Sequence, residues 1–229
     1  MNVVALIPVK SFRNAKQRLG PLLSRAGREL LAEAMFRDVL AQVRMARGLA
    51  GTFVVTGDDK VSSIASIAGA EVIRESAENG ETSAVDFARA ELKSTGCEAV
   101  LILPGDMPLV RASDIDQVLA QAPESAAKPF ALLVPSHDRL GTNALLLAPP
   151  DLIALRFGYD SFNFHLSQLT ENGLPQRFIV NENIALDIDG PADLQRFLAH
   201  DLADGEATRV ARRLLAEHDA PGRQRAESL

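Results

Sequence analysis

Lys10, Arg13, Lys16 and Arg18 fall within nine residues, KSFRNAKQR, of a chain whose formal net charge is −6. Cations concentrated against an acidic background suit the neutralisation of phosphate oxygens. The stretch has no glycine before Gly20, so backbone amides cannot wrap phosphates as a Walker loop does, and the side chains would have to act. The plainer alternative is a solvated loop of scattered charges. Asp106 ends the apolar run of LILPGDMPLV, held between Pro104-Gly105 and a second proline. Asp187 and Asp189 alternate in IALDIDG, so in a strand both would face one side. Two carboxylates that close repel unless a cation lies between them or one takes a proton. Mg²⁺ is a hard cation that binds one or two carboxylates together with substrate phosphates. Against this stand ordinary uses: a turn aspartate at 106, and a helix cap at Asp189 ahead of Pro191. Asp106 is read as a metal ligand at the carboxyl end of a strand. A third feature pairs the turn Gly141-Thr142-Asn143 with Phe157-Gly158 and Ser161. A helix start with free amides and a hydroxyl takes anions, and capping by Ser161 or Asp160 is the alternative.

These residues matter only if the fold brings them together. VVALIPV, GTFVVTG, AEVIRE and EAVLILPGD read as strands, mostly apolar without alternation, as strands buried on both faces are. Helices separate them. The longest runs from about Ala26 to Arg47, with Leu31, Met35, Val39 and Val43 in one row and Ser24 as its cap. Others lie in DDKVSSIASIAG, TSAVDFARAEL and ASDIDQVLAQA, the last with Ser113 as cap. The first half is therefore βαβαβαβα, which predicts a mostly parallel sheet covered on both faces. In the second half PFALLVPS, TNALLLAP, QRFIVNE and IALDIDG read as strands, and DSFNFHLSQLTENG and PADLQRFLAH as helices, with Pro191 in a first turn. The expected architecture is a single three-layer α/β/α domain over residues 1–218 with a mostly parallel mixed sheet, and a disordered tail from Asp219. In such sheets ligands bind outside the carboxyl ends of the strands, where the basic loop, Asp106 and the Asp187/Asp189 pair follow their strands.

The bulk composition excludes several classes. There is no basic surplus to favour nucleic acid or an anionic membrane. Cys97 is the only cysteine, so an internal disulfide and a Cys/His metal cluster are both excluded. No apolar run approaches a membrane span. The first ten residues read as a strand rather than a secretion signal, and a reducing cytoplasm is the expected location.

IPVK, AKQRL, PGDMPLV, DRLGTNALLL, FGYDSFNFH and LDID followed by PADL stand in this order along the chain. The series resembles the guanylyltransferases that act on 2-phospho-L-lactate or phosphoenolpyruvate in the biosynthesis of the deazaflavin coenzyme F-420. The likeness runs from about Val4 to Leu198, and the combination of DR-GTNAL with FG-SF-H is its specific part. It implies a Rossmann-like nucleotidyltransferase fold of the GT-A type. It implies GTP and a small phosphorylated acid (phosphoenolpyruvate, 2-phospho-L-lactate or 3-phospho-D-glycerate) as substrates, and Mg²⁺. Carried over by position, Asp106, Asp187 and Asp189 would hold the metal, with Asp106, Lys16 and Lys10 central to catalysis. Lys10, Lys16, Arg18 and Pro104 would meet the nucleotide, together with Gly80, Glu81 and Thr82, which stand where many relatives carry Gly-Leu-Asn. A glutamate at that point could accept from the N1–H and amino group of guanine. Thr142, Asn143, Gly158 and Ser161 would hold the acid. The resemblance further implies hand-off of a labile product to a downstream transferase, and a homodimer is compatible with it.

The alternatives come from neighbouring classes. DID is similar to the Asp-x-Asp of GT-A glycosyltransferases, although it lies late in the chain. A sugar-phosphate or cofactor nucleotidyltransferase would carry a glycine-rich loop after the first strand, absent here. A non-catalytic nucleotide-binding module would keep the fold without turnover.

Overall fold

A computed structural model describes residues 1–75, 80–124 and 128–219. Six strands form one sheet: β1 (Val3–Pro8), β2 (Leu49–Thr56), β3 (Glu71–Arg74), β4 (Ala99–Ile102), β5 (Phe130–Pro135) and β6 (Thr142–Ala148). Their order is β3-β2-β1-β4-β6-β5. The β1–β2, β1–β4 and β2–β3 pairs are parallel, while β6 runs antiparallel to both β4 and β5. The sheet is mixed and mostly parallel, as the alternation of apolar runs and helices predicts.

Alternation along the strands divides the core into two faces. Ala5, Ile7, Leu101, Ala144 and Leu146 point into one apolar cluster with α1 (Arg25–Met45), α2 (Asp59–Ile67), α4 (Ala112–Leu119) and α7 (Pro191–Leu198). Leu6, Val100, Ile102, Leu145 and Leu147 point into the other, with α3 (Glu81–Ser94) and α5 (Ser161–Glu171). Both faces of β1, β4 and β6 are thus covered, which explains why their sequences are continuously apolar. The chain winds from β1 outward to β3 and returns to β4 on the other side of β1. The loops after β1 and β4 therefore flank a crevice at the carboxyl edge, the usual ligand position in such sheets.

Several details differ from the sequence reading. QRFIVNE contributes only a single bridge, Phe178 to Leu133, and IALDIDG joins no ladder. Glu182–Ala185 forms a helical turn, α6, and the chain beyond it is extended without a strand partner. Ile184, Leu186 and Ile188 are buried, so the period-two pattern reflects an extended segment packed on the core. The N–H of Ile188 donates to the carbonyl of Asp106 at 3.2 Å, which ties this segment to the loop after β4. Ser24 caps α1 as expected, accepting from Gly27 N–H. Ser113 does not cap α4. Arg111 is the cap residue, and the Asp114 side chain accepts its N–H at 2.8 Å. Asp189 does not cap α7 either, because Asp193 reaches back to accept from Gly190 at 2.8 Å and from Asp189 at 3.2 Å. Of the tail expected over residues 219–229, Asp219 ends the last helix and residues 220–229 lie outside the described residues.

The sequence reading assigns nothing between His200 and Asp219, where the structure has α8 (Glu206–Asp219). Ala207 and Ala211 are buried, and the helix packs along α1. Its first amides are satisfied from outside the helix: Glu206 and Ala207 N–H donate to the two carboxylate oxygens of Asp38 at 3.0 and 2.8 Å. A Cβ at Gly205 would collide with that carboxylate, so glycine is required by close approach. A carboxylate at a helix start also complements the helix dipole. Asp38→Ala is expected to destabilise the protein by about 1–2 kcal/mol, read as a lower urea midpoint with unchanged slope. An unchanged midpoint would show that this cap contributes nothing.

Candidate active site

The loop after β1 folds into two short 3₁₀ turns, Phe12–Asn14 and Gln17–Leu19. Phe12 and Leu19 are buried and pin the loop to the core. Between the turns, Lys16 adopts a left-handed backbone (φ 53°), which carries its side chain inward to 9% exposure. Its Nζ lies 2.5 Å from Asp106 Oδ2 and 2.9 Å from Asp189 Oδ1. Burial works against the lysine charge, but Asp106 and then Asp189 outweigh it and hold the pKa above that of an ordinary lysine. The Asp189 carboxyl, despite its own burial, is held below the usual range by Lys16 and more weakly by Arg18, whose guanidinium is 3.9 Å away. An ammonium has three donors, and the two carboxylates use two of them.

Asp106 is only half used. Its Oδ2 meets Lys16, while its buried Oδ1 has no hydrogen-bond partner. Asp187 is held by Asn143, whose Nδ2 donates to Oδ1 at 3.0 Å. Burial first, and then the charge of Asp106, push the Asp187 carboxyl above its usual range. The charges of Asp106 and Asp187 oppose one another, and two such carboxylates, one with an unpartnered oxygen, fit a hard divalent cation. Asp189 belongs to a different arrangement, because Lys16 stands between it and Asp106. Among the described residues no group of three acidic, histidine or cysteine side chains converges on one point. Of the three expected aspartates, Asp106 and Asp189 line the cleft and share Lys16, and Asp187 lies near enough to feel the charge of both.

A cleft of about 830 Å³ opens over these groups, lined by Lys10, Lys16, Arg18, Glu81, Pro104, Asp106 and Asp189 among others. Glu81 begins α3, and Gly80 is that helix's cap residue. Burial, then repulsion from Asp106, push the Glu81 carboxyl up to about 7. The cleft also includes Glu75, which nothing in the sequence singles out.

The second half of the site lies around the start of β6. Thr142 N–H donates to Ser161 Oγ at 3.0 Å, and Asn143 Nδ2 also donates to the carbonyl of Ile184 at 3.0 Å. Gly158 has φ +98° with open space where a Cβ would stand. Its conformation rather than crowding favours glycine there. Its carbonyl accepts from Ser161 N–H at 3.2 Å. Thr82 accepts the N–H of Phe157 at 3.0 Å, linking the start of α3 to the Phe157-Gly158 turn. Asn143 to Asp187 and Thr82 to Phe157 are the two bonds that join the halves. Neither is legible in sequence spacing, since each spans tens of residues.

Residues 3–216 match the family described as guanylyl transferase CofC like. The chain is 38% identical over 199 residues to a phosphoenolpyruvate guanylyltransferase of Rubrobacter xylanophilus, covering 87% of this chain and 95% of the relative. The chain belongs to the CofC-like guanylyl transferase family. A 2-phospho-L-lactate guanylyltransferase of Methanothermobacter thermautotrophicus is 32% identical over 212 residues, 91% of this chain and 87% of that one. Among solved structures, one from Desulfovibrio desulfuricans provisionally described as a nucleotide-diphospho-sugar transferase superposes with a TM-score of 0.75 at 16% identity, covering 95% of this chain and 99% of that one. A cytidylyltransferase of Leptospira borgpetersenii superposes with a TM-score of 0.61 at 16% identity, covering 93% and 94%. These structures show the shared fold, as the GT-A reading expects. The family match, rather than the DID motif, separates the chain from the glycosyltransferase alternative.

Asp106→Asn in this guanylyl transferase is expected to lower turnover on the order of 10²-fold or more with the circular-dichroism spectrum unchanged. A folded variant of near-wild-type activity would remove Asp106 from the chemistry.

Proposed function

We propose that the protein transfers GMP from GTP to the phosphate of a small phosphorylated acid, with phosphoenolpyruvate as the first candidate, releasing pyrophosphate. The observation that carries this reading is the pairing of an orphaned Asp106 oxygen and a repelled Asp187 with a buried Lys16 that keeps one N–H free. Phosphoenolpyruvate is favoured over 2-phospho-L-lactate because the more similar relatives bear the former name.

In this reading an oxygen of the acid's phosphate attacks the α-phosphorus of GTP, and the bond from that phosphorus to the oxygen bridging to the β-phosphorus breaks. The nucleophile is already an anion, so no strong general base is required. The obstacle is repulsion between phosphates, which positioning and fixed positive charge lower. Mg²⁺ held by Asp106 and Asp187 would supply charge neutralisation at the reacting phosphate oxygens. Lys16 donates its remaining N–H to a phosphate oxygen, and Lys10 and Arg18 neutralise charge along the cleft. Glu81, at the start of α3, accepts from the N1–H and amino group of guanine. Thr142, Gly158 and Ser161 orient the acid through its carboxylate, and Asn143 keeps this subsite in register with Asp187. The product is a reactive mixed diphosphate, suited to consumption by a downstream transferase in the cytoplasm.

The test is a matrix of GTP, ATP, CTP and UTP against phosphoenolpyruvate, 2-phospho-L-lactate and 3-phospho-D-glycerate, with and without Mg²⁺, read by pyrophosphate release. Release confined to GTP with one acid, and requiring metal, is the expected result. Thermal stabilisation by nucleotide with silence across the grid would support a binding module instead.

A further inference from the structure

His165 is fully buried on α5, with Phe157 and Phe164 packed edge-on against its ring. The two ring nitrogens have different partners. Nε2 lies 3.2 Å from the backbone nitrogen of Arg156. A backbone N–H can only donate, so Nε2 accepts and carries no proton. Nδ1 lies 2.9 Å from Thr142 Oγ1. Burial, then the charges of Arg156 and Arg89, hold the imidazole pKa down at about 4, so the ring is neutral near pH 7 and bears one proton. With Nε2 bare, that proton is on Nδ1 and is donated to Thr142 Oγ1. The threonine oxygen is then an acceptor toward the histidine, and its own proton must be given elsewhere. The opposite tautomer would present a bare Nδ1 and draw the hydroxyl proton inward.

We propose that His165 is a positioning residue for the acid subsite: its Nδ1–H fixes Thr142 Oγ1 as an acceptor on the inner side and so turns the Thr142 hydroxyl proton outward as a donor to a carboxylate. Ser161 is set in a similar way, because its oxygen receives Thr142 N–H and its hydroxyl proton is left to donate. The result is two hydroxyl donors, one at the start of β6 and one at the start of α5, joined by the Thr142 N–H to Ser161 Oγ bond, which together could serve the two oxygens of one carboxylate. Arg156 also benefits, since its N–H is satisfied by the ring while the next N–H, of Phe157, is satisfied by Thr82. The turn that ends in Gly158 thus hangs from two side-chain acceptors on different helices. The nature of the ligand rests on the functional reading above, whereas the proton arrangement rests on the hydrogen bonds alone.

Two measurements separate these claims. Long-range ¹H–¹⁵N spectra of the histidine side chains at pH 7, assigned by the signal missing in His165→Phe, are expected to show His165 as the neutral Nδ1–H tautomer. An Nε2–H tautomer or a doubly protonated ring overturns the proposal. In kinetics, His165→Phe keeps most of the ring volume and removes both hydrogen bonds. It is expected to raise KM for the phosphorylated acid tenfold or more while KM for GTP stays within twofold. His165→Asn, whose amide can donate to Thr142, is expected to bring the acid's KM back to within about threefold of wild type, and His165→Phe should add less than twofold in a Thr142→Val background. An unchanged acid KM in a folded His165→Phe protein overturns the proposal, as does an equal rise in both KM values. If the phenylalanine variant does not fold, the wild-type tautomer spectrum, assigned by the signal missing in His165→Asn, and the kinetics of that variant still decide. A wild-type protein that turns over no phosphorylated acid would reject the functional reading, and the spectrum would still decide the tautomer.

Discussion

The site depends on one buried ammonium. Lys16 reaches from the loop after β1 to Asp106 after β4 and to Asp189 ahead of α7, and so gathers three segments at one point of the sheet edge. A lysine cannot be sunk to 9% side-chain exposure without partners, because desolvation of an ion costs several kcal/mol. The two carboxylates offset that cost and also hold a non-glycine residue in left-handed backbone, which alone costs on the order of 1–3 kcal/mol. Lys16 is therefore both a structural clamp and a fixed positive charge facing the cleft.

The same pairing gives the aspartates different protein partners. Asp189 is committed to Lys16 and Arg18, whereas Asp106 meets Lys16 with one oxygen and turns the other away from it. Lys16 supplies positive charge to one oxygen of Asp106, and the other oxygen has no hydrogen-bond partner. The proposed reaction between two phosphates needs charge neutralisation more than a base, so a cleft with no histidine among its described lining residues suits it. The proposed acid subsite consists of neutral groups, hydroxyls and a helix start, which would suit a small carboxylate, and Asn143 bonds from its edge to Asp187.

Much of this arrangement is legible in the amino-acid sequence. Apolar runs without alternation mark β1, β2 and β4 as doubly covered strands, and the position of Lys10–Arg18 and Asp106 after β1 and β4 puts them at the carboxyl edge on pattern alone. Pairing across distance is not legible. IALDIDG has a strand's period yet makes no ladder, because burial of Ile184, Leu186 and Ile188 against the core imposes the same alternation. Asp189 has the setting of a cap, but Asp193 fills that role and frees Asp189 for a lysine 173 residues away. α8 carries a weak signal because small alanines, not large apolar residues, are its fully buried positions, and its cap is the distant Asp38. His165 has no catalytic spacing, and its meaning lies in which nitrogen meets a backbone N–H.

The central claim is that an oxygen of the acid's phosphate attacks the α-phosphorus of GTP at the Lys16–Asp106–Asp187 site. The most direct measurement uses phosphoenolpyruvate labelled with ¹⁸O in its phosphate, incubated with GTP and Mg²⁺ and followed by ³¹P NMR. The expected result is a new mixed diphosphate that keeps the label in its bridging oxygen, together with pyrophosphate free of label. Label in released inorganic phosphate, or GMP formed with the acid left unchanged, would contradict it.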